Sequence, residues 1–236
     1  MGRAFEYRKA AKMKRWGNMS RVFPKLARAI EIAAKAGGAD PEMNSALRTA
    51  ILNAKAENMP KTNIDAAIKR ALGKDAKNFS EVNFEGKGPH GVLIFVETAT
   101  DNNTRTVANI KMHFNKSGGA LAPTGSLEFM FDRKAIFEFN KPENIDLEEL
   151  ELELIDVGLE EIEEEEGVVL VTADYKEFGN LNQAFEDKGI ELTKAELKRI
   201  PNNPQEFSEE QQEEIAKLLE KLDEDDDVQA VYTNMA

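Results

Sequence analysis

The chain contains no cysteine. That absence excludes disulfides, thiolate nucleophiles and Cys-based zinc or iron–sulfur centres, and it fits a reducing compartment. Histidine is nearly absent too. His90 lies in a glycine-rich turn and His113 on a helix beside Phe114, with no carboxylate motif close to either in sequence. Two isolated imidazoles make neither a metal site nor a catalytic dyad, so structural roles are expected for both. No apolar run approaches the length of a membrane span, and the charged N-terminus lacks the apolar core of a signal peptide. The acidic runs Glu163–Glu166 and Asp223–Asp227 lack the alternating oxygen spacing of an EF-hand and read as solvated edges. The expectation is a cytoplasmic protein without catalytic residues, metal, cofactor or membrane partner.

Basic residues are also in the minority, 31 against 44 acidic in 236 positions, for a net charge of −13. They are not spread evenly. Nine of them, Arg3, Arg8, Lys9, Lys12, Lys14, Arg15, Arg21, Lys25 and Arg28, fall in the first 28 positions, opposed only by Glu6. Residues 1–80 carry 17 basic and 7 acidic groups, a net of +10, whereas residues 81–236 carry 14 and 37, a net of −23. A cationic segment on an acidic body is drawn to polyanions, and the acidic remainder repels them. Trp16, with Phe5 and Tyr7, is interleaved among the cations; such rings stack on unpaired bases and Arg adds a cation–π contribution. The nine cations together with Trp16 are therefore the candidate nucleic-acid contacts. Phosphate contacts of this kind give affinity without sequence information.

Behind a basic arm over residues 1–19, residues 20–78 read as a three-helix domain. Phe23, Leu26, Ile30 and Ala33 share one face of a first helix closed by Gly37-Gly38. Asp40-Pro41 predicts the cap and first turn of a second, with Met43, Leu47, Ile51 and Ala54 on its stripe. Ile64, Ile68 and Leu72 mark a third, stopped by Gly73.

The period then changes. Val92-Leu93-Ile94-Phe95-Val96 predicts a buried central strand; Val107, Ile110 and Phe114 a helix; and Leu127, Phe129 and Phe131 a half-buried strand. Gly86, Gly88 and Gly91 lack the Lys-Ser/Thr of a phosphate loop and lead into a strand, so they predict a tight turn between strands. Residues 134–204 follow the order β-α-β-β-α-β of ferredoxin-like domains. Within them Asp146 with Glu149 predicts a capping box, Gly167 a turn and Gly189 a helix stop. A last helix capped by Ser208 and a strand from Val228 cannot bury their own apolar faces. They predict a middle domain made of residues 79–133 and 205–236, interrupted by the 134–204 insertion. The fold class is α+β.

Several ordered segments resemble the YebC/PmpR family, whose mitochondrial member is the translational activator of cytochrome c oxidase. They are Tyr7-Arg8-Lys9-Ala10-Ala11 leading to Phe23-Pro24-Lys25-Leu26; Glu85 to Gly91; Asp101 to Thr106; Ser117-Gly118-Gly119 with Gly125-Ser126; and Asp226-Asp227-Val228-Gln229. The resemblance covers the whole chain and implies a helical domain followed by two α/β domains, the third inserted in the second. It implies a non-enzymatic regulator of gene expression. Two mechanisms stay open. One is action on the ribosome and its RNA, assisting translation at difficult stretches such as consecutive prolines. The other is binding of promoter DNA as a transcriptional regulator. Many members begin with Gly-His-Ser-Lys-Trp, whereas this chain begins Met1-Gly2-Arg3-Ala4-Phe5-Glu6 and places its tryptophan at 16. Where members usually have Asn-Arg-Thr it has Thr104-Arg105-Thr106, with Arg105 a secondary candidate contact beside a helix cap. A monomer is expected.

Overall fold

A computed structural model describes residues 19–236, with side chains from Arg21 onward. Three helices come first: α1 (Met19–Gly37), α2 (Ser45–Ala56) and α3 (Lys61–Ala71). Ala27, Ile30, Ala33 and Ala34 of α1 are buried, with Leu47 and Ala54 of α2 and Ile64, Ala67 and Ala71 of α3. Alanine dominates these faces because closely packed short helices leave little room between them. Two expectations are corrected. Asp40-Pro41 does not open α2: the Asp40 carboxylate accepts from the Glu42 amide in a separate turn, and Asn44 is the cap. Asn44 wins because its buried side chain serves three partners at once, accepting from Leu47 N while donating to Ala33 O and Gly38 O at 2.8 Å each. Met43 thus lies before α2 and Leu72 just past the end of α3, so both fall off their predicted stripes and are 83% and 60% exposed.

Packing divides the chain into two compact units: the helices up to Lys69 with Arg133–Lys198, and Arg70–Asp132 with Arg199–Ala236. In the second unit, β1 (Ser80–Lys87) and β2 (Leu93–Thr100) form an antiparallel hairpin closed by a short 3-10 turn, Pro89–Gly91. Helix α4 (Asn103–Lys116) and the short strand β3 (Ala120–Leu121) follow. From the other end of the chain come α7 (Glu209–Asp223) and β8 (Val228–Thr233), giving a sheet of order β3-β1-β2-β8. Strand β8 pairs antiparallel with β2, and Ile215, Leu218, Leu222 and Val228 share one core with Val92, Ile94, Val96, Ile110 and Phe114. Ser208 and Gln211 cap α7 reciprocally. The expected strand at residues 126–131 is absent. The Glu85 carboxylate accepts the backbone amides of Gly125 and Leu127, which holds this segment in a loop and leaves Phe129 72% exposed.

Strand β4 (Phe131–Asn140) joins the predicted strand end at Phe131 to the predicted strand around Ala135, Phe137 and Phe139 in one element. It leads into α5 (Leu147–Ile155), β5 (Leu159–Glu165), β6 (Val168–Asp174), α6 (Phe178–Asp187) and β7 (Leu192–Pro201). Asp146 caps α5 by accepting from Glu148 N. The sheet order β5-β6-β4-β7, with antiparallel β4–β6 and β5–β6 pairs, is the ferredoxin-like arrangement. Its core stacks Phe137 against Phe178 and Phe185, with Phe139, Leu150, Leu154, Val169, Val171 and Leu181.

Candidate nucleic-acid interface

The basic face of α1 follows from helical geometry. Arg21, Lys25, Arg28 and Lys35 are spaced by four, three and seven residues, so they fall in one sector of the helix, opposite Ile30 and the buried alanines. The helix therefore buries one side and lines the other with four cations over a rise of about 20 Å, at 1.5 Å per residue, with Glu31 as the one acid between Arg28 and Lys35. Arg21, Lys25 and Arg28 are partly buried and Lys35 is exposed. Lys35 lies beyond the N-terminal cluster but belongs to the same stripe, and its spacing of seven from Arg28 is the sequence signal for it. The other candidates, Arg3, Arg8, Lys9, Lys12, Lys14, Arg15 and Trp16, lie outside the described residues.

Arg105 stands elsewhere, on the first turn of α4, where Asn102 caps the helix by accepting from Arg105 N. Its guanidinium is held between two carboxylates. Nη2 donates to Asp227 at 2.7 and 2.8 Å and to Asp101 at 2.8 Å, and Nε donates to Asp227 at 3.2 Å. Asp227 is 1% exposed and also accepts from Thr106 Oγ1 at 2.7 Å and Thr100 Oγ1 at 3.2 Å. Burial alone would raise the Asp227 pKa, but the Arg105 and Thr106 hydrogen bonds outweigh it and hold the carboxyl below its ordinary value. Asp101, bonded first by Lys77 and then by Arg105, is lowered to about 2. The hydrogen bonds that Arg105 donates to Asp227 and then to Asp101 raise its guanidinium above the ordinary value. This cluster ties the start of α4 to the segment before β8. The two motifs that contribute its residues lie more than 120 positions apart, and neither shows the pairing alone.

The histidines also find carboxylates that the sequence gives no sign of. His90 Nε2 lies 2.8 Å from Glu214 on α7, and His113 Nε2 lies 3.8 Å from Asp225. Among the described residues, no group of three or more His, Asp or Glu side chains is placed to hold a metal ion, and no helix is long and apolar enough to cross a membrane.

A small basic helical region, an antiparallel sheet closed by the C-terminal strand and a ferredoxin-like insertion define an α+β class of protein with segregated charge. Comparison with known proteins places the chain more closely. The TACO1/YebC N-terminal domain matches residues 3–74, and the TACO1/YebC second and third domain matches residues 79–235. The chain belongs to the TACO1/YebC family. It is 62% identical over 236 residues to a probable transcriptional regulatory protein of Sulfurimonas denitrificans, and each chain is covered in full. A protein of the same description from Wolinella succinogenes is 64% identical over 237 residues, again with full coverage of both. The crystal structure of a conserved hypothetical protein from Aquifex aeolicus is similar with a TM-score of 0.75 and 35% identity, covering 94% of this chain and 91% of that one.

Proposed function

We propose that the protein is a non-enzymatic regulator of gene expression that binds nucleic acid through residues 1–28 and α1, and that it acts in the cytoplasm as a monomer on ribosomal RNA to assist translation. The observation that carries this reading is the charge reversal, +10 over residues 1–80 against −23 over the remainder, with the α1 cations gathered on one helix face. Generic phosphate contacts on a helical surface suit recognition of RNA by shape. Specificity then comes from fitting one site with the basic side inward while the acidic part is turned away from the polyanion. Arg105, engaged by Asp227 and Asp101, is assigned to structure instead of ligand. Steps helped on the ribosome would be difficult ones, such as consecutive prolines.

A second reading is favoured by the naming of the relatives as probable transcriptional regulatory proteins. In it the same cations grip promoter DNA. Rapid depletion followed by ribosome profiling beside total RNA sequencing separates the two. The translation reading expects raised ribosome occupancy at a subset of codons before those messages change in abundance. Message changes that come first, with no pausing, replace it with the transcriptional one. The binding element is tested by converting Arg8, Lys9, Lys12 and Arg15 to Ala. Affinity for the natural target should fall sharply in the variant, and in the parent it should fall steeply with added salt. Unchanged affinity in physiological salt removes the basic segment from the mechanism.

A further inference from the structure

Strand β7 is an edge strand of its sheet, and an edge presents unpaired backbone groups. Here a side chain of α2 pairs with them. Asn53 Nδ2 donates to Ala195 O at 2.6 Å, and Ala195 N donates to Asn53 Oδ1 at 3.0 Å. One residue thus receives both bonds that a neighbouring antiparallel strand would exchange with it. Ala195 is fully buried beneath this contact. Around it Lys194 bridges Glu57 at 3.4 Å and Glu196 at 3.3 Å, Arg48 reaches Glu186 at 2.9 Å, and Leu52 packs on the core of the inserted sheet. The helices and this sheet are therefore one packed unit, although more than 60 residues of the other unit separate them in sequence.

The sheet so held, with its helices, is strongly acidic. Residues 133–198 carry 20 acidic and 7 basic groups, and residues 142–175 carry 14 acids and no base. Several of the few cations are engaged, Lys134 with Glu160, Lys141 with Glu164 and Lys188 with Glu153. Screening limits the reach of such a surface to about 8 Å at physiological ionic strength. A negative body on a loose tether has no fixed distance from a ligand bound to the helices, whereas one bolted to them keeps the same distance for every ligand, and it repels those that come within the screening length.

We infer that the Asn53–Ala195 junction is a positioning interface that fixes the acidic sheet against the basic helices, where it serves as an electrostatic guard against polyanions of the wrong shape. This deepens the proposed function and rests on it. Full-length Asn53→Ala protein tests the junction by peptide-level hydrogen exchange and the guard by anisotropy of a labelled 30-nucleotide poly(U) strand at physiological salt. Protection around Ala195 and in α2 should fall while β6 keeps its protection, and poly(U) should bind several-fold more tightly. The triple variant Glu148→Gln, Glu151→Gln and Glu161→Gln leaves the junction intact, should keep its exchange pattern, and should show the same gain in poly(U) affinity. It decides the guard if Asn53→Ala unfolds. Unchanged protection in Asn53→Ala overturns the junction. Poly(U) affinity that stays at the parental value in the triple variant overturns the guard. Absence of any poly(U) or natural-target binding by the parent is a different result, and it removes the nucleic-acid reading along with the guard.

Discussion

Replacing Asp227 with Ala tests how the C-terminal segment is fastened to the β1–β2 hairpin. The side chain is 1% exposed and accepts from Arg105, Thr106 and Thr100, while its backbone carbonyl accepts from Ala99 N at 2.8 Å. Hydrogen bonds to a charged acceptor are worth about 1.5–3 kcal/mol each, and a buried donor left unpaired costs about 1–3 kcal/mol. The full sum does not apply. Arg105 is half exposed, so it regains water and keeps Asp101. Thr106 Oγ1 retains Asn102 O at 3.1 Å and Thr100 Oγ1 at 2.7 Å. What remains is the loss of charge-assisted bonds in a buried site, on the order of 2–4 kcal/mol, which lowers Tm by about 5–15 °C. Far-UV circular dichroism during thermal and urea unfolding at pH 7 measures it, and Asp227→Asn, which keeps shape and one acceptor oxygen, should fall in between. The effect also has a pH signature. The Asp227 carboxyl is held below its ordinary value in the folded protein, and Asp101 at about 2. Such groups contribute stability that is complete above the unfolded carboxylate pKa near 3.9 and is lost as pH falls through the folded value. The gap between parent and Asp227→Ala should therefore be widest at neutral pH and narrow as the pH falls below the ordinary carboxylate range. A gap under about 1 kcal/mol at pH 7, or one that does not narrow in acid, refutes the assignment.

Truncation after Phe207 should make the protein aggregate, because it strips Ile215, Leu218, Leu222 and Val228 from the core of Val92, Ile94 and Phe114 and turns β2 into an uncovered edge. A soluble 1–207 fragment with a cooperative unfolding transition contradicts the role given to the C-terminus. Gly86→Ala should cost about 1–3 kcal/mol, since its Cβ would lie 2.4 Å from Cε1 of the fully buried Phe114 ring and 2.9 Å from the Ala120 carbonyl. Urea titration of that variant within about 0.5 kcal/mol of the parent would show that the strand can shift to admit the methyl group.

Local chemistry makes much of this protein legible in its sequence. The helix faces, the β-α-β-β-α-β order, the turn at Gly167 and the stops at Gly37-Gly38 and Gly189 follow from periodicity and glycine placement, because those signals act over a few residues. The dependence of β8 and α7 on a distant sheet was also readable, since one strand and one helix cannot bury their own faces. The charge reversal needs only counting. Tertiary structure decided what distant side chains compete for. Asn44 took the cap from Asp40 because its amide could also satisfy Ala33 and Gly38 across a turn. Glu85 drew the Gly125 and Leu127 amides away from a strand. Arg105, a candidate phosphate contact by its type, became the partner of Asp227, and Asn53, which lies off the apolar stripe read for its helix, became the cover for the edge of β7. A backbone donor or acceptor bonds whichever group the fold brings within about 3 Å, and that proximity is not encoded in the spacing of neighbours along the chain.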